Sequence, residues 1–162
     1  MDKAKWRSSF LIETLYEGWD DAPSTPGIYV ISSGKPINRL AKTDPRGIVY
    51  IGKSKNLRNR LWSFWYAQHP ASGFLWENPD VASKIIGKKC KSHEDVENIL
   101  RHFTVKVATP IHKDSLDSAE RATLYAYIKT YGELPPLNFS LPERWSVLPR
   151  DKDLNWGNAG LT

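Results

Sequence analysis

Hydrophobic residues along the chain change period several times, and each change marks an element. Trp6, Phe10, Leu11 and Leu15 recur near one helical face, which predicts a short amphipathic helix over residues 4–15. Gly18 to Pro26 interrupts it with Gly, Asp, Pro and Ser. Two β-rich runs follow, Gly27-Ile-Tyr-Val-Ile-Ser32 and Gly47-Ile-Val-Tyr-Ile-Gly52, and the polar stretch between them predicts a hairpin. Ser54 is placed to cap a helix whose buried face carries Leu57, Leu61, Phe64 and Trp65 and which fades near His69-Pro70.

Beyond that point the pattern is weaker. Val81, Ile85 and Ile86 predict a short helix, followed by a basic turn over Gly87 to Lys91. Ser92 and Asp95 have the spacing of a helix start, with Val96, Ile99 and Leu100 on the apolar face. Phe103 to Ala108 alternates as a third strand. Asp117 followed by Glu120 resembles a capping box that opens a helix running to about Tyr131, and Pro135-Pro136 stops any continuation. Residues 140–162 show no period and read as an irregular tail on the surface. The order of elements gives an α/β (α+β) domain with a small, central, three-stranded antiparallel sheet flanked by helices. Three strands are too few for a sandwich or an α/β barrel.

Composition narrows the class. The chain has 162 residues, enough for one domain and too few for two ordinary ones. No apolar run is long enough to span a bilayer, and no secretory leader is visible after Met1 to Lys5, so no membrane partner is expected. Cys90 is the only cysteine, which excludes an internal disulfide and a thiolate metal cluster and points to a reducing, cytoplasmic setting, nucleoid-associated if bacterial. The lysines beside Cys90 would lower its pKa, but no partner base is identifiable from sequence. With 23 Lys and Arg against 18 Asp and Glu, the net charge of +5 favours a polyanionic partner. Seven Trp and seven Tyr exceed what a core this size requires, which leaves some for stacking on bases. The four histidines show no metal-ligand spacing.

The informative residues are Gly27-Ile28-Tyr29 and Tyr50-Ile51-Gly52. Each triplet alone occurs by chance in many chains. Here they are followed by Lys53, Asn56, Leu57 and Arg60-Leu61, then by a helix with Glu120 and by Pro135-Pro-Leu-Asn138. This ordered set resembles the GIY-YIG nuclease family, over about residues 26–139, and its second segment is similar to the nuclease domain of the UvrC excision-repair subunit. The resemblance implies a nuclease fold carrying a helical insertion over about residues 66–99. It also implies a metal-dependent endonuclease that hydrolyses phosphodiester bonds of double- or single-stranded DNA. Tyr29, Tyr50, Arg60 and Glu120 would be its catalytic residues. Glu120 would also hold a single Mg²⁺ or Mn²⁺, and Lys53, Arg58 and Asn138 would touch substrate or position backbone.

The chemistry is compatible with those residue types. Phosphodiester hydrolysis needs a base for the attacking water, a cation for the charge on phosphorus and stabilisation of the leaving oxygen. A hairpin brings both phenols to one place; the resemblance favours Tyr29 as base and Tyr50 as its partner, with the reverse assignment open. Arg60 can fork onto a phosphate oxygen. Each residue also has a plainer use. The tyrosines could pack, Arg60 and Lys53 could be solvated, Glu120 could cap its helix, and Asn138 could sit in the turn after Pro136. Lys84, Lys88, Lys89 and Lys91 with Arg58 and Arg60 could form a DNA-facing surface.

Three departures from the family pattern stand out. The loop between the two tyrosine strands is about twice the usual length, and Phe64 stands where UvrC-like members usually carry Tyr, leaving Tyr66 as a substitute. No second domain is visible. DNA would then be recognised by the insertions, by a homodimer or through a recruiting protein, in a restriction-type or a structure- or repair-type enzyme. The alternatives are a catalytically inactive nucleic-acid-binding module on the same scaffold and a protein-interaction scaffold.

Overall fold

A computed structural model describes residues 22–66, 68–86 and 89–139, with the backbone of Lys5–Trp6 and Phe10–Leu11. Two short strands, β1 (Lys5–Trp6) and β2 (Phe10–Leu11), precede β3 (Gly27–Ser32). A small hairpin of β4 (Ile37–Asn38) and β5 (Thr43–Asp44) occupies the long polar loop before β6 (Ile48–Ser54). Helices α1 (Leu57–Trp65), α2 (Pro70–Glu77), α3 (Pro79–Ile86) and α4 (His93–Leu100) lead to β7 (Thr104–Thr109). A 3₁₀ turn at Lys113–Ser115 opens into α5 (Leu116–Tyr131), which ends on Gly132 in the left-handed conformation.

The core of the sheet is three antiparallel strands in the order β7-β3-β6. All six residues of β3 are buried, because helices cover both faces of this strand. Ile28, Val30, Ile48, Ile51 and Ala108 pack against α5 through Leu116, Ala119, Leu124 and Tyr127. Tyr29, Ile31, Val49, Val105 and Val107 face the helical segment through Leu57, Leu61, Phe64, Leu75, Val96 and Leu100. Among the described residues no helix is long and apolar enough to cross a membrane.

Four expectations need correction. The helix over residues 4–15 does not form where the chain is described. Lys5–Trp6 and Phe10–Leu11 pair with β7 instead, covering backbone groups that would otherwise be an open sheet edge. Four apolar residues in a short segment cannot sustain a helix alone, and Trp, Phe and Leu suit a strand once an edge is available. Asn56, not Ser54, caps α1, its side chain accepting from the Asn59 amide. The break at His69-Pro70 is the start of α2, with His69 as N-cap and Pro at the first helical position. The Asp117–Glu120 capping box is absent: the helix already begins at Leu116, so both residues lie inside it, and Ser115 at the N-cap makes no side-chain cap. The box at Ser92 and Asp95 does form. The tail at 140–162 lies outside the described residues.

The long loop is held by a buried carboxylate. Asp44 accepts the amides of Arg46 (3.0 Å), Gly47 (3.2 Å) and Ile48 (2.8 Å) and the Tyr127 hydroxyl (3.1 Å), joining the loop to β6 and α5. Asp44→Ala leaves these donors without their acceptor. It should cost at least about 3 kcal/mol, since each such bond to a charged group is worth roughly 1.5–3 kcal/mol. Urea unfolding checks this: the midpoint should fall with the slope unchanged, and an unaltered midpoint would count against the carboxylate as the organiser of the loop.

Candidate active site

The two tyrosines meet through a register detail. Tyr29 pairs with Gly52 and Ile31 with Tyr50, which makes the tyrosines diagonal neighbours on one face. Between Ile31 and Ser32 the register shifts, so that Val49 and Tyr50 both turn toward the face carrying Tyr29 while Ile48 and Ile51 face α5. An irregularity of this kind re-aims a side chain that strict alternation would send the other way. The rings lie 5.9 Å apart at 26°. Gly52 makes room for them: a Cβ there would lie 2.6 Å from the Tyr29 hydroxyl and 2.7 Å from the Tyr50 ring.

His69, which no motif had singled out, completes the cluster. Its Nδ1 accepts the Ala71 amide at 3.0 Å, and burial together with the Arg60 charge pushes its pKa down to about 3. The ring is therefore neutral near pH 7 with its proton on Nε2. That N–H faces the Tyr29 hydroxyl at 2.6 Å, and Arg60 Nε donates to the same oxygen at 3.3 Å. Two donors on a phenol oxygen favour the phenolate. Burial and the neighbouring Tyr50 outweigh them, and the Tyr29 pKa stands well above the ordinary phenol value. Burial also raises Tyr50, which is partly buried where Tyr29 is 0 % exposed; Arg60 pulls it back. Phe64 packs against His69 at 5.3 Å. Tyr66 does not replace a hydroxyl there: it is exposed and lies on Trp62 at 4.6 Å. In the sequence His69-Pro70 reads only as the fading end of a helix; a proline suited to a first helical position is the signal that points to a cap at His69.

The charges lie at the C-terminal end of β6. Lys53, the next residue after Gly52, bonds Asp117 and stands 3.7 Å from Glu120, both on the first turns of α5. Burial alone would lower Lys53, but Asp117 and Glu120 hold its pKa above the ordinary lysine value. The Glu120 side chain is only 15 % exposed. Burial raises its pKa, Asp117 adds to the rise, and Lys53 and Arg60 offset part of it. Glu120 also acts electrostatically on Tyr29 and Tyr50, so the carboxylate lies within electrostatic reach of the phenols and of Arg60. Among the described residues no three His, Cys, Asp or Glu side chains form a ready-made metal cluster. A hard divalent cation that keeps several waters needs only one or two carboxylates, and Glu120 with its neighbour Asp117 suits it.

The remaining residues singled out in the sequence go elsewhere. Asn138 uses both ends of its amide on Ile51, accepting from its N–H at 3.0 Å and donating to its C=O at 2.9 Å. With Leu137 N–H on Val49 C=O, it covers the edge of β6 beside the tyrosines, so its part is backbone positioning. Arg58 Nε holds the Ala22 carbonyl at 2.7 Å and ties α1 to the segment before β3. Cys90 is buried, and burial with the charges of Asp95 and Asp80 raises its pKa, contrary to the effect expected of its lysine neighbours. Lys84, Lys89 and Lys91 belong to the α3–α4 segment, and Lys88 lies outside the described residues. A scan against protein-family models, a search of curated proteins and a search of solved structures each returned no match.

An enclosed carboxylate with raised pKa costs stability when it ionises. Glu120→Gln should therefore melt higher than wild type at pH 7.5 in a chelating buffer, by about 2–4 °C for each 1 kcal/mol recovered. A lower melting temperature would mean that Glu120 serves the fold.

Proposed function

We propose that this chain is a metal-dependent endonuclease of the GIY-YIG type that hydrolyses DNA phosphodiester bonds. The observation that carries the reading is the meeting of Tyr29, Tyr50, Arg60 and Glu120, from four different elements, at one edge of the sheet. Packing alone gives no reason for a buried carboxylate, a guanidinium and two phenols to share that corner.

A divalent cation at Glu120, Mg²⁺ or Mn²⁺, would neutralise charge on the phosphoryl oxygens. The protein's own groups do the rest. Arg60 and Lys53 bind the non-bridging oxygens and orient the phosphate. Tyr50 lies on the solvent side and meets the attacking water. Tyr29 lies behind it, its oxygen held by His69 and Arg60 but too deeply buried to carry the charge alone. The base is the coupled pair, with one ionisation shared between two oxygens. This refines the preference for Tyr29 alone. His69 is a positioning donor whose tautomer is set by the Ala71 amide. The net charge of +5 favours the polyanionic substrate. A restriction-type or repair-type role fits this chemistry equally well.

The test is relaxation of supercoiled plasmid with Mg²⁺ or Mn²⁺, beside a DNA-binding assay. Wild type should nick the plasmid, and Glu120→Gln should bind without cutting. Tyr29→Phe and Tyr50→Phe should each lose about 100-fold or more in rate at similar affinity, the order expected for removing a general base. Arg60→Ala should lose at least tenfold, about 1.4 kcal/mol of transition-state stabilisation. Cutting by Glu120→Gln at the wild-type rate would refute the reading. Plasmid bound but left intact by wild type would favour a catalytically silent binding module.

A further inference from the structure

Lys53 is placed oddly for a residue meant only to hold a phosphate. Its ammonium bonds Asp117 Oδ1 and lies 3.7 Å from Glu120 Oε1. Two carboxylates from successive turns of α5 thus reach a single positive charge. Side chains three positions apart on a helix are neighbours, so their oxygens can share one small ligand. Asp117 is 73 % exposed and open to solvent, whereas Glu120 is enclosed. Lys55 and Lys113 line the open cleft with Lys53 and Asp117, and Lys53 reaches both carboxylates.

We propose that Asp117 is the second carboxylate of the divalent-cation site, and that the Lys53 ammonium stands in for the cation until metal binds. Metal and lysine compete for one position. Loading displaces Lys53, which is then free to swing onto the substrate phosphate a short distance away. Cation binding and presentation of the phosphate-binding lysine become one event. Before loading, the same ammonium offsets part of the carboxylate charge, which a metal-free cleft would otherwise present to incoming DNA. The inference rests on the proposed metal-dependent reading and adds a ligand and a displacement to it.

Mn²⁺ binding to the full chain, without DNA, by calorimetry or by the spin resonance of free Mn²⁺, tests this apart from cleavage. Lys53→Met should tighten Mn²⁺ binding at least tenfold, and Lys53→Gln should do the same if the methionine variant folds poorly. Lys55→Met, which removes the same charge from the same cleft, should change affinity less than threefold. In the Lys53→Met background, Asp117→Asn should weaken binding at least fivefold. Unchanged or weaker binding in both Lys53 variants would overturn the competition, as would an equal gain from Lys55→Met. No effect of Asp117→Asn in that background would remove Asp117 as ligand. Should Glu120→Gln also leave Mn²⁺ binding unchanged, the metal reading itself fails; a loss confined to Glu120→Gln would sink the inference alone. Cleavage by the Lys53→Met protein should be slower than wild type even at saturating Mn²⁺, and an equal rate would contradict the swing onto phosphate.

Discussion

The candidate site depends on one close approach, that of the Tyr29 ring over the bare backbone of Gly52. Only a residue without a Cβ lets the Tyr29 hydroxyl pass across β6 and reach its partners. Once the ring is seated there, its oxygen can meet Arg60 from α1 and His69 from the start of α2. Tyr50 then fits beside it because the pairing of Ile31 with Tyr50 puts both tyrosines on the same face. Three elements are thereby fixed relative to one another by contacts to a single phenol. The geometry is carried by strands and helix starts, which hold side chains more rigidly than loops do.

Electrostatically, the site is a set of charges and dipoles that the fold encloses at some cost. Glu120 is enclosed with a raised pKa, Tyr29 is buried with a raised pKa, and His69 is held neutral far below its ordinary range. Opposed shifts gathered in one site are typical of places where proton transfer and charge neutralisation occur. The contrast with Asp44 is instructive. That carboxylate is also buried, but its oxygens take three backbone amides and a hydroxyl. It holds a loop. Glu120 accepts no such set of donors in the described structure, and what faces it is a lysine.

Much of this was legible in the chain. The three core strands, the helix with Arg60, the start at Ser92 and the end of α5 follow from hydrophobic period and turn residues. What was not legible has physical reasons. The pairing of Lys5–Trp6 and Phe10–Leu11 depends on an unpaired edge of β7, a tertiary fact that no local period encodes. The strand register that sets Tyr50 diagonal to Tyr29 leaves no mark in an apolar run without alternation. His69 was hidden because it caps α2, a helix whose start looks in the sequence only like the fading of the one before it, and because its other partner, the Tyr29 hydroxyl, comes from distant β3. Asp117 and Glu120 had the spacing of a cap, and only the earlier start of α5 separates that from a charged pair facing Lys53. Asn138 was found, but its task at the β6 edge required the backbone to be seen.

The proposed function requires a divalent cation to bind in the corner shared by Glu120, the tyrosine pair and His69. Mn²⁺ titrated into protein carrying isotope-labelled tyrosine and histidine tests this through paramagnetic broadening of ring resonances. Tyr29, Tyr50 and His69 should broaden first and together, before Tyr127, which lies on the opposite face of the sheet. Broadening that spares all three, or that begins at His93 or His102, would contradict it.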